Sequence, residues 1–162
     1  AAALYVVRVM RALELRIPPL VLMLVMAIAM WALGNAVPTL AYDAQWSAPA
    51  ALLIACIGAV ICFMGVAGFR HRRTTVDPVR PQKSSVLVVD GIYRHSRNPM
   101  YTGMAMMLAA WALYLQNFAA IILWPTAPLY LQRFQILPEE RALTALFGAE
   151  YQAYRKRVRR WL

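Results

Sequence analysis

Four long apolar stretches alternate with polar segments along the 162-residue chain. The first two, residues 17–37 and 49–69, contain no Asp, Glu, Lys or Arg. At a rise of ~1.5 Å per residue, each is long enough to cross the ~30 Å hydrocarbon layer of a bilayer. The other two, residues 99–115 and 118–136, are separated by only two polar residues, which predicts a tight helical hairpin. The pattern therefore predicts an all-α integral membrane protein with four transmembrane helices.

Three polar segments flank these spans. Residues 1–16 place charged side chains among apolar ones, which predicts an amphipathic helix at the membrane surface. Residues 70–98 form a long basic loop. Residues 138–160 begin with a proline and two glutamates and end in a basic run, which predicts a final amphipathic helix whose charges complement its dipole. We expect residues 1–162 to form a single membrane domain, because no segment is large enough for a second one.

The distribution of charge predicts the orientation. The formal net charge is +10, although 62% of the residues are hydrophobic and only 15% are charged. Of the 17 Lys and Arg residues, three lie in the N-terminal segment, seven in the 70–98 loop and seven from Arg133 onward, and the two opposite loops carry none. Basic residues concentrate in cytosolic loops, so both termini and the long loop are expected in the cytosol. The mean hydropathy of +0.52 argues against a soluble helical bundle, and the expected location is the bacterial inner membrane, with the active site facing the cytosol.

Prolines mark two further features. Pro99 occupies a position typical of the first residue of a helix, where its missing N–H costs little. Pro125 and Pro128 lie inside the fourth stretch and predict a kink or a local break there.

Polar residues cluster at the predicted starts of the third and final helices. The free amides at a helix start attract anions, and Arg97 adds a planar donor fork beside them, with Tyr101 within the first turn. The plainer alternative is an interfacial anchor for lipid phosphates. Glu139 and Glu140 complement a helix dipole, yet carboxylates so close to a bilayer require partners. Arg97, Arg133, Arg141 or a cationic ligand would provide them.

Several other site types are not indicated. The histidines, cysteines and acidic residues show no metal-ligand spacing, so we expect no metal. The chain has no phosphate-binding glycine loop or nucleophile elbow. The basic C-terminal run is more typical of a segment that binds membrane lipids than of a nucleic-acid site.

With these residues in view, the sequence resembles the isoprenylcysteine carboxyl methyltransferase and phospholipid methyltransferase superfamily. The resemblance covers about residues 65–160. It is carried by three ordered motifs: Gly91-x-Tyr93, Arg97-Asn98-Pro99-x-Tyr101-x-Gly103, and Glu139-Glu140-x-x-Leu143-x-x-x-Phe147-Gly148-x-Glu150-Tyr151-x-x-Tyr154. The family usually has a histidine where this chain has Asn98, and an asparagine can form hydrogen bonds but cannot titrate.

The resemblance implies an integral membrane methyltransferase that uses S-adenosylmethionine and requires no metal. It implies a cofactor pocket between the third, fourth and final helices. The residues expected to bind the cofactor are Tyr93, Arg97, Asn98, Pro99, Tyr101, Gly103, Glu139 and Glu140. Those expected to act in catalysis are Glu140, as the partner of the cofactor's cationic group, and Arg133 and Arg141, as holders of an acceptor carboxylate.

The methyl acceptor stays open at this point. We expect a lipophilic molecule, with the carboxylate of an isoprenylcysteine-like compound favoured and a phospholipid amine as the alternative. A membrane sterol-type reductase that uses NADPH is a further alternative, but such proteins usually have an acidic residue after the glycine where this chain has Met104. The non-enzymatic alternative is a small membrane scaffold or transporter, although an ion-coupled transporter normally keeps an ionisable group within a span.

Overall fold

The structure is a computed structural model that describes residues 14–71 and 86–161. Its described part consists of helices joined by turns and loops, with two isolated bridges and no strand. The helices are α1 (Pro19–Ala36), α2 (Ser47–His71), α3 (Pro99–Tyr114), α4 (Phe118–Leu123), α5 (Thr126–Leu131) and α6 (Leu137–Arg157), with single turns of tighter helix at Pro38–Leu40 and Gly91–Arg94. The all-α prediction is confirmed. The predicted surface helix at residues 1–16 lies mostly outside the described residues, as does much of the 70–98 loop.

Helices α1 and α2 coincide with the first two predicted spans. Both are long and apolar enough to cross a membrane, and only 17% of the apolar window in each is buried within the protein. A core helix of a soluble protein would be largely buried, whereas these helices expose side chains such as Leu20, Leu24 and Phe63. Their apolar surfaces are therefore suited to contact with lipid.

The third and fourth predicted spans are less regular. Helix α3 begins at Pro99, as predicted, and has 16 residues. The fourth stretch is divided at Trp124 and Pro125 into α4 and α5, each six residues long. The predicted break is thus confirmed, because a proline removes a helical hydrogen bond and clashes with the preceding turn. Four complete crossings stay a prediction.

Helix α6 continues directly from α5 instead of following a loop. A single π turn at Gln132–Ile136 joins the two, and Pro138 lies in the first turn of α6. Gly148, at φ +50°, breaks the helical path in the middle of α6, a conformation that glycine adopts at little steric cost. The helix ends at Arg157, short of the predicted residue 160, because Val158 is extended. Residues 158–161 are thereby turned back toward the start of α3.

The most extensive helix contact in the described part joins α2 and α3. Two glycines face each other there, and a methyl group on Gly58 would lie 2.7 Å from the Gly103 carbonyl oxygen. Small residues allow such close backbone approach between membrane helices. This packing holds the start of α3 against the C-terminal half of α2.

Replacing Gly103 with alanine is expected to destabilise the protein by about 1–3 kcal/mol, as overpacking does in other cores. The added carbon would lie 2.8 Å from the Cys62 backbone nitrogen and closer still to the Gly58 oxygen, and backbone atoms yield only if the helices separate. Thermal unfolding in detergent measures the change. Gly34→Ala is the matched control, because its added carbon meets Asn117 at an ordinary 3.6 Å. Equal stability of the two variants would contradict the close packing at Gly103.

Candidate functional site

A cavity lies where the Gly91–Arg94 turn, the start of α3 and the start of α6 converge. It encloses about 50 Å³. A ligand larger than a few water molecules therefore fits only when the surrounding side chains move apart. Its walls are formed by Phe69, Val86, Leu87, Val88, Tyr93, Arg97, Asn98, Met100, Tyr101, Glu139, Glu140, Leu143, Tyr151 and Tyr154. Residues far apart in the sequence thus meet in one polar and aromatic site.

Glu140 is the centre of the charge network. Its side chain is 6% exposed and lies opposite three arginines. Arg160 Nε donates to Oε1 at 3.0 Å and Arg160 Nη2 donates to Oε2 at 2.9 Å, which makes a bidentate pair. Arg97 Nη2 lies 3.1 Å from Oε1, and Arg155 Nη2 lies 3.7 Å from Oε2. One carboxylate therefore faces three positive charges, so the cluster favours a further anion.

Arg97 is the least satisfied member of this cluster. Its side chain is 9% exposed, and its Nε and Nη1 atoms have no hydrogen-bond partner among the described residues. Leaving buried donors unpaired is unfavourable by roughly 1–3 kcal/mol, and more for charged groups. A carboxylate or phosphate oxygen is a suitable acceptor for each of these charged donors.

Glu139 offers the opposite charge on the same wall. Tyr101 Oη donates to its Oε2 at 3.1 Å. Burial raises the pKa of Glu139 to about 7, the negative charge of Glu140 adds to the rise, and the hydrogen bond from Tyr101 opposes it. Glu139 is thus a carboxyl group that exchanges its proton near neutral pH.

Glu139 is also expected to make stability depend on pH. Because its pKa is about 7 in the folded protein and ordinarily 4.5, the folded state retains a proton that the unfolded state has lost. The stabilisation from this proton is fully present below about pH 4.5 and is lost as pH rises through about 7. Glu139→Gln should therefore reduce the fall in melting temperature between these pH values. Parallel melting-temperature profiles for the two proteins would contradict the assignment.

Tyrosines form the aromatic wall. Tyr154 Oη donates to the Tyr93 carbonyl oxygen at 2.7 Å, and Tyr93 Oη donates to the Gly65 carbonyl oxygen at 3.3 Å. Burial raises the pKa values of Tyr93 and Tyr154, and it raises that of Tyr151 to about 12. The rings therefore stay neutral and offer apolar faces that are suited to a planar base.

Three further residues were predicted to bind the cofactor, and only one of them lines the cavity. Asn98 lines the cavity, and its Nδ2 donates to the Arg160 carbonyl oxygen at 2.8 Å. Pro99 is buried at the start of α3, and Gly103 packs against α2. Pro99 and Gly103 are not part of the cavity wall.

Arg133 and Arg141 are also absent from the wall. Both form ion pairs with Glu14, Arg133 at 2.8 Å. The carboxylate-holding role expected for them therefore has no counterpart in the described cavity and stays a prediction.

Sequence reasoning missed two groups of site residues. Tyr151 and Tyr154 belong to the third motif, and their place in that motif could have indicated that they line the site. Arg155 and Arg160 looked like part of a basic surface run, and no pattern in the sequence separated them from their neighbours. Within residues 14–71 and 86–161, no cluster of three His, Cys, Asp or Glu residues could hold a metal ion.

Two long apolar helices that are suited to lipid, beside a polar cavity lined by tyrosines, are typical of a helical membrane protein. The sequence profile of the phospholipid methyltransferase family matches residues 46–150, and the chain belongs to this family. The predicted superfamily is thereby confirmed, and the protein is placed among the methyltransferases.

Two relatives overlap part of the chain. A Haemophilus influenzae protein described as uncharacterized is 41% identical over 63 residues, which is 39% of this chain and all of that protein. The protein-S-isoprenylcysteine O-methyltransferase of Schizosaccharomyces pombe is 37% identical over 79 residues, 47% of this chain and 32% of that enzyme. The match thus spans about a third of the enzyme whose activity is named. No solved structure matches the chain significantly.

Proposed function

We propose that this protein transfers a methyl group from S-adenosylmethionine to a lipophilic acceptor at the cytosolic face of a membrane. The observation that carries the proposal is Arg97, a guanidinium nine-tenths buried beside the cavity with two nitrogens unpartnered among the described residues. Membership in a methyltransferase family supplies the reaction class. The cytosolic orientation rests on the distribution of basic residues, and the four spans rest on the lengths of the apolar stretches.

The residues around the cavity offer a partner for each of the three parts of the cofactor, which would enter when the surrounding side chains move apart. Arg97 is the partner for its carboxylate, and the rings of Tyr93 and Tyr101 are suited to its adenine. Its ammonium or sulfonium requires a carboxylate. Glu140 was the sequence-based choice, but its oxygens already accept hydrogen bonds from Arg160. We therefore assign the cationic group to Glu139, and we give Glu140 the role of holding Arg97.

When bound, S-adenosylmethionine supplies an electrophilic methyl group on a sulfonium centre. The contribution of the chain is to bind and align the reactants, which by itself lowers such barriers substantially. An acceptor with a lipid-like tail would approach through the bilayer beside the broken α4–α5 segment.

The favoured acceptor atom is a carboxylate oxygen of an isoprenylcysteine-like molecule. A carboxylate is already nucleophilic at neutral pH and requires no base. The related Schizosaccharomyces pombe enzyme, named as an isoprenylcysteine O-methyltransferase, supports this choice over the part of the chain that it matches.

A phospholipid amine is the second candidate acceptor, and one observation favours it. An ammonium group must lose a proton before it attacks, and the pKa of Glu139 is about 7, which suits a general base. Under this alternative Glu139 would receive that proton. Glu139→Gln would then reduce methyl transfer to amines far more than methyl transfer to carboxylates.

Calorimetry on the purified protein in detergent tests the cofactor. We expect S-adenosylmethionine and S-adenosylhomocysteine to bind and NADPH not to bind. Binding of NADPH alone would favour a reductase, and binding of neither would favour a non-enzymatic membrane protein. Incubating the protein with radiolabelled methyl donor and a membrane lipid extract then identifies the acceptor, and base-labile label would indicate a methyl ester.

A further inference from the structure

Residues 158–161 fold back across the site and form a short strap. The Arg97 backbone nitrogen donates to the Arg159 carbonyl oxygen at 2.9 Å, and Asn98 Nδ2 donates to the Arg160 carbonyl oxygen at 2.8 Å. A parallel bridge joins Ser96 to Arg159. The strap is therefore hydrogen-bonded along the segment that carries Arg97.

The far end of the strap is held against the helices. Trp161 Nε1 donates to Gln132 Oε1 at 3.1 Å. Its ring packs on the apolar cluster that includes Tyr101 and Leu131. Anchors on both sides of Arg160 thus direct its side chain toward Glu140.

Arg160 determines how Arg97 can use its donors. An arginine and a carboxylate prefer a bidentate pair with two parallel hydrogen bonds. Here Arg160 takes that arrangement with Glu140, and Arg97 contacts Oε1 through Nη2 alone. Without Arg160, Glu140 would have a free oxygen for Arg97, and a bidentate Arg97–Glu140 pair would engage a second nitrogen of the Arg97 guanidinium.

We propose that Arg160 is a positioning residue that occupies Glu140 and so keeps the donors of Arg97 available for the carboxylate of the nucleoside cofactor. This inference rests on the proposed function. The family match ends at residue 150, before the strap begins. The inference also gives Asn98 a specific role, because its amide holds the strap carbonyl next to the Arg160 side chain.

Arg160→Ala tests the role through ligand discrimination. S-adenosylhomocysteine carries the amino-acid carboxylate, and 5′-methylthioadenosine has the same nucleoside and sulfur but lacks both that carboxylate and the ammonium group beside it. We expect Arg160→Ala to weaken S-adenosylhomocysteine binding about tenfold or more and to leave methylthioadenosine binding within about twofold. Competition against labelled S-adenosylhomocysteine in detergent measures both affinities. Arg159→Ala is the matched control, since it removes the same charge from an exposed neighbouring position and should change neither.

The outcomes separate the two proposals. Equal weakening of both nucleosides would mean that Arg160 supports the pocket only in general, and it would overturn the positioning role. Unchanged binding of both would overturn it too. Failure of the unsubstituted protein to bind S-adenosylhomocysteine would instead refute the proposed function, and this inference with it. If Arg160→Ala folds poorly, Arg160→Lys keeps the charge but loses the donor fork, and it should show a smaller selective loss.

Discussion

Arg97→Ala is expected to lower the affinity for S-adenosylmethionine and S-adenosylhomocysteine by about 100-fold or more. Hydrogen bonds to a charged group contribute about 1.5–3 kcal/mol each, and about 1.4 kcal/mol corresponds to a tenfold change in affinity. The substitution removes the buried Nε and Nη1 donors, which have no partners among the described residues. Folding should be affected less, because Glu140 retains its bidentate partner Arg160. Calorimetry with either nucleoside measures the loss.

Two variants make the result specific to Arg97. Arg94→Ala removes the same side chain three residues earlier, where it is 72% exposed and lies 3.8 Å from Asp90, and it should bind normally. Arg97→Lys keeps the charge and loses the planar fork, so its affinity should be intermediate. Normal binding by Arg97→Ala would show that the cofactor carboxylate is held elsewhere.

Glu140→Ala should give the largest loss of stability. The substitution leaves the buried Arg97 guanidinium, and much of Arg160, without a carboxylate, and breaking a buried ion pair in this way is unfavourable by about 3–5 kcal/mol. For a chain of this size that corresponds to a fall in melting temperature of roughly 10 °C. Thermal unfolding in detergent, followed by circular dichroism, measures it.

Glu150→Ala is the control for Glu140→Ala, because it removes an exposed carboxylate from the same helix and should leave the melting temperature nearly unchanged. From the sequence alone, Glu140 was the expected partner of the cofactor's cation, and its loss would affect binding without affecting folding. A stable Glu140→Ala protein that fails to bind would therefore favour that earlier interpretation over the ion-pair network seen here.

Much of the site could be predicted because its motif residues have fixed spacings and sit at helix starts. Tyr93, Arg97, Tyr101, Glu139 and Glu140 all line the cavity. Arg160 could not be predicted in the same way. A run of basic residues such as this one normally forms a solvent-exposed surface. Its sequence does not distinguish an arginine that turns inward from one that stays exposed.

Of the irregular parts of the fold, one could be predicted from the sequence and another could not. The break at Pro125 was predictable, because proline acts on the helix that contains it. The direct continuation of α5 into α6 was not, since Pro138 is equally compatible with a new helix after a loop and with the first turn after a π turn.

The sequence by itself determined the all-α architecture, the two long apolar helices, the start of α3 and, through the resemblance of its motifs, the methyltransferase family. These features follow from hydrophobic length, proline chemistry and motif spacing, which act over short stretches of chain. Only the tertiary structure decided that Glu140 pairs with Arg97 and Arg160 and that Arg133 and Arg141 pair with Glu14. Ion pairs depend on which distant segments meet in space, and several arginines could satisfy the same carboxylate until the fold brings a particular one within reach.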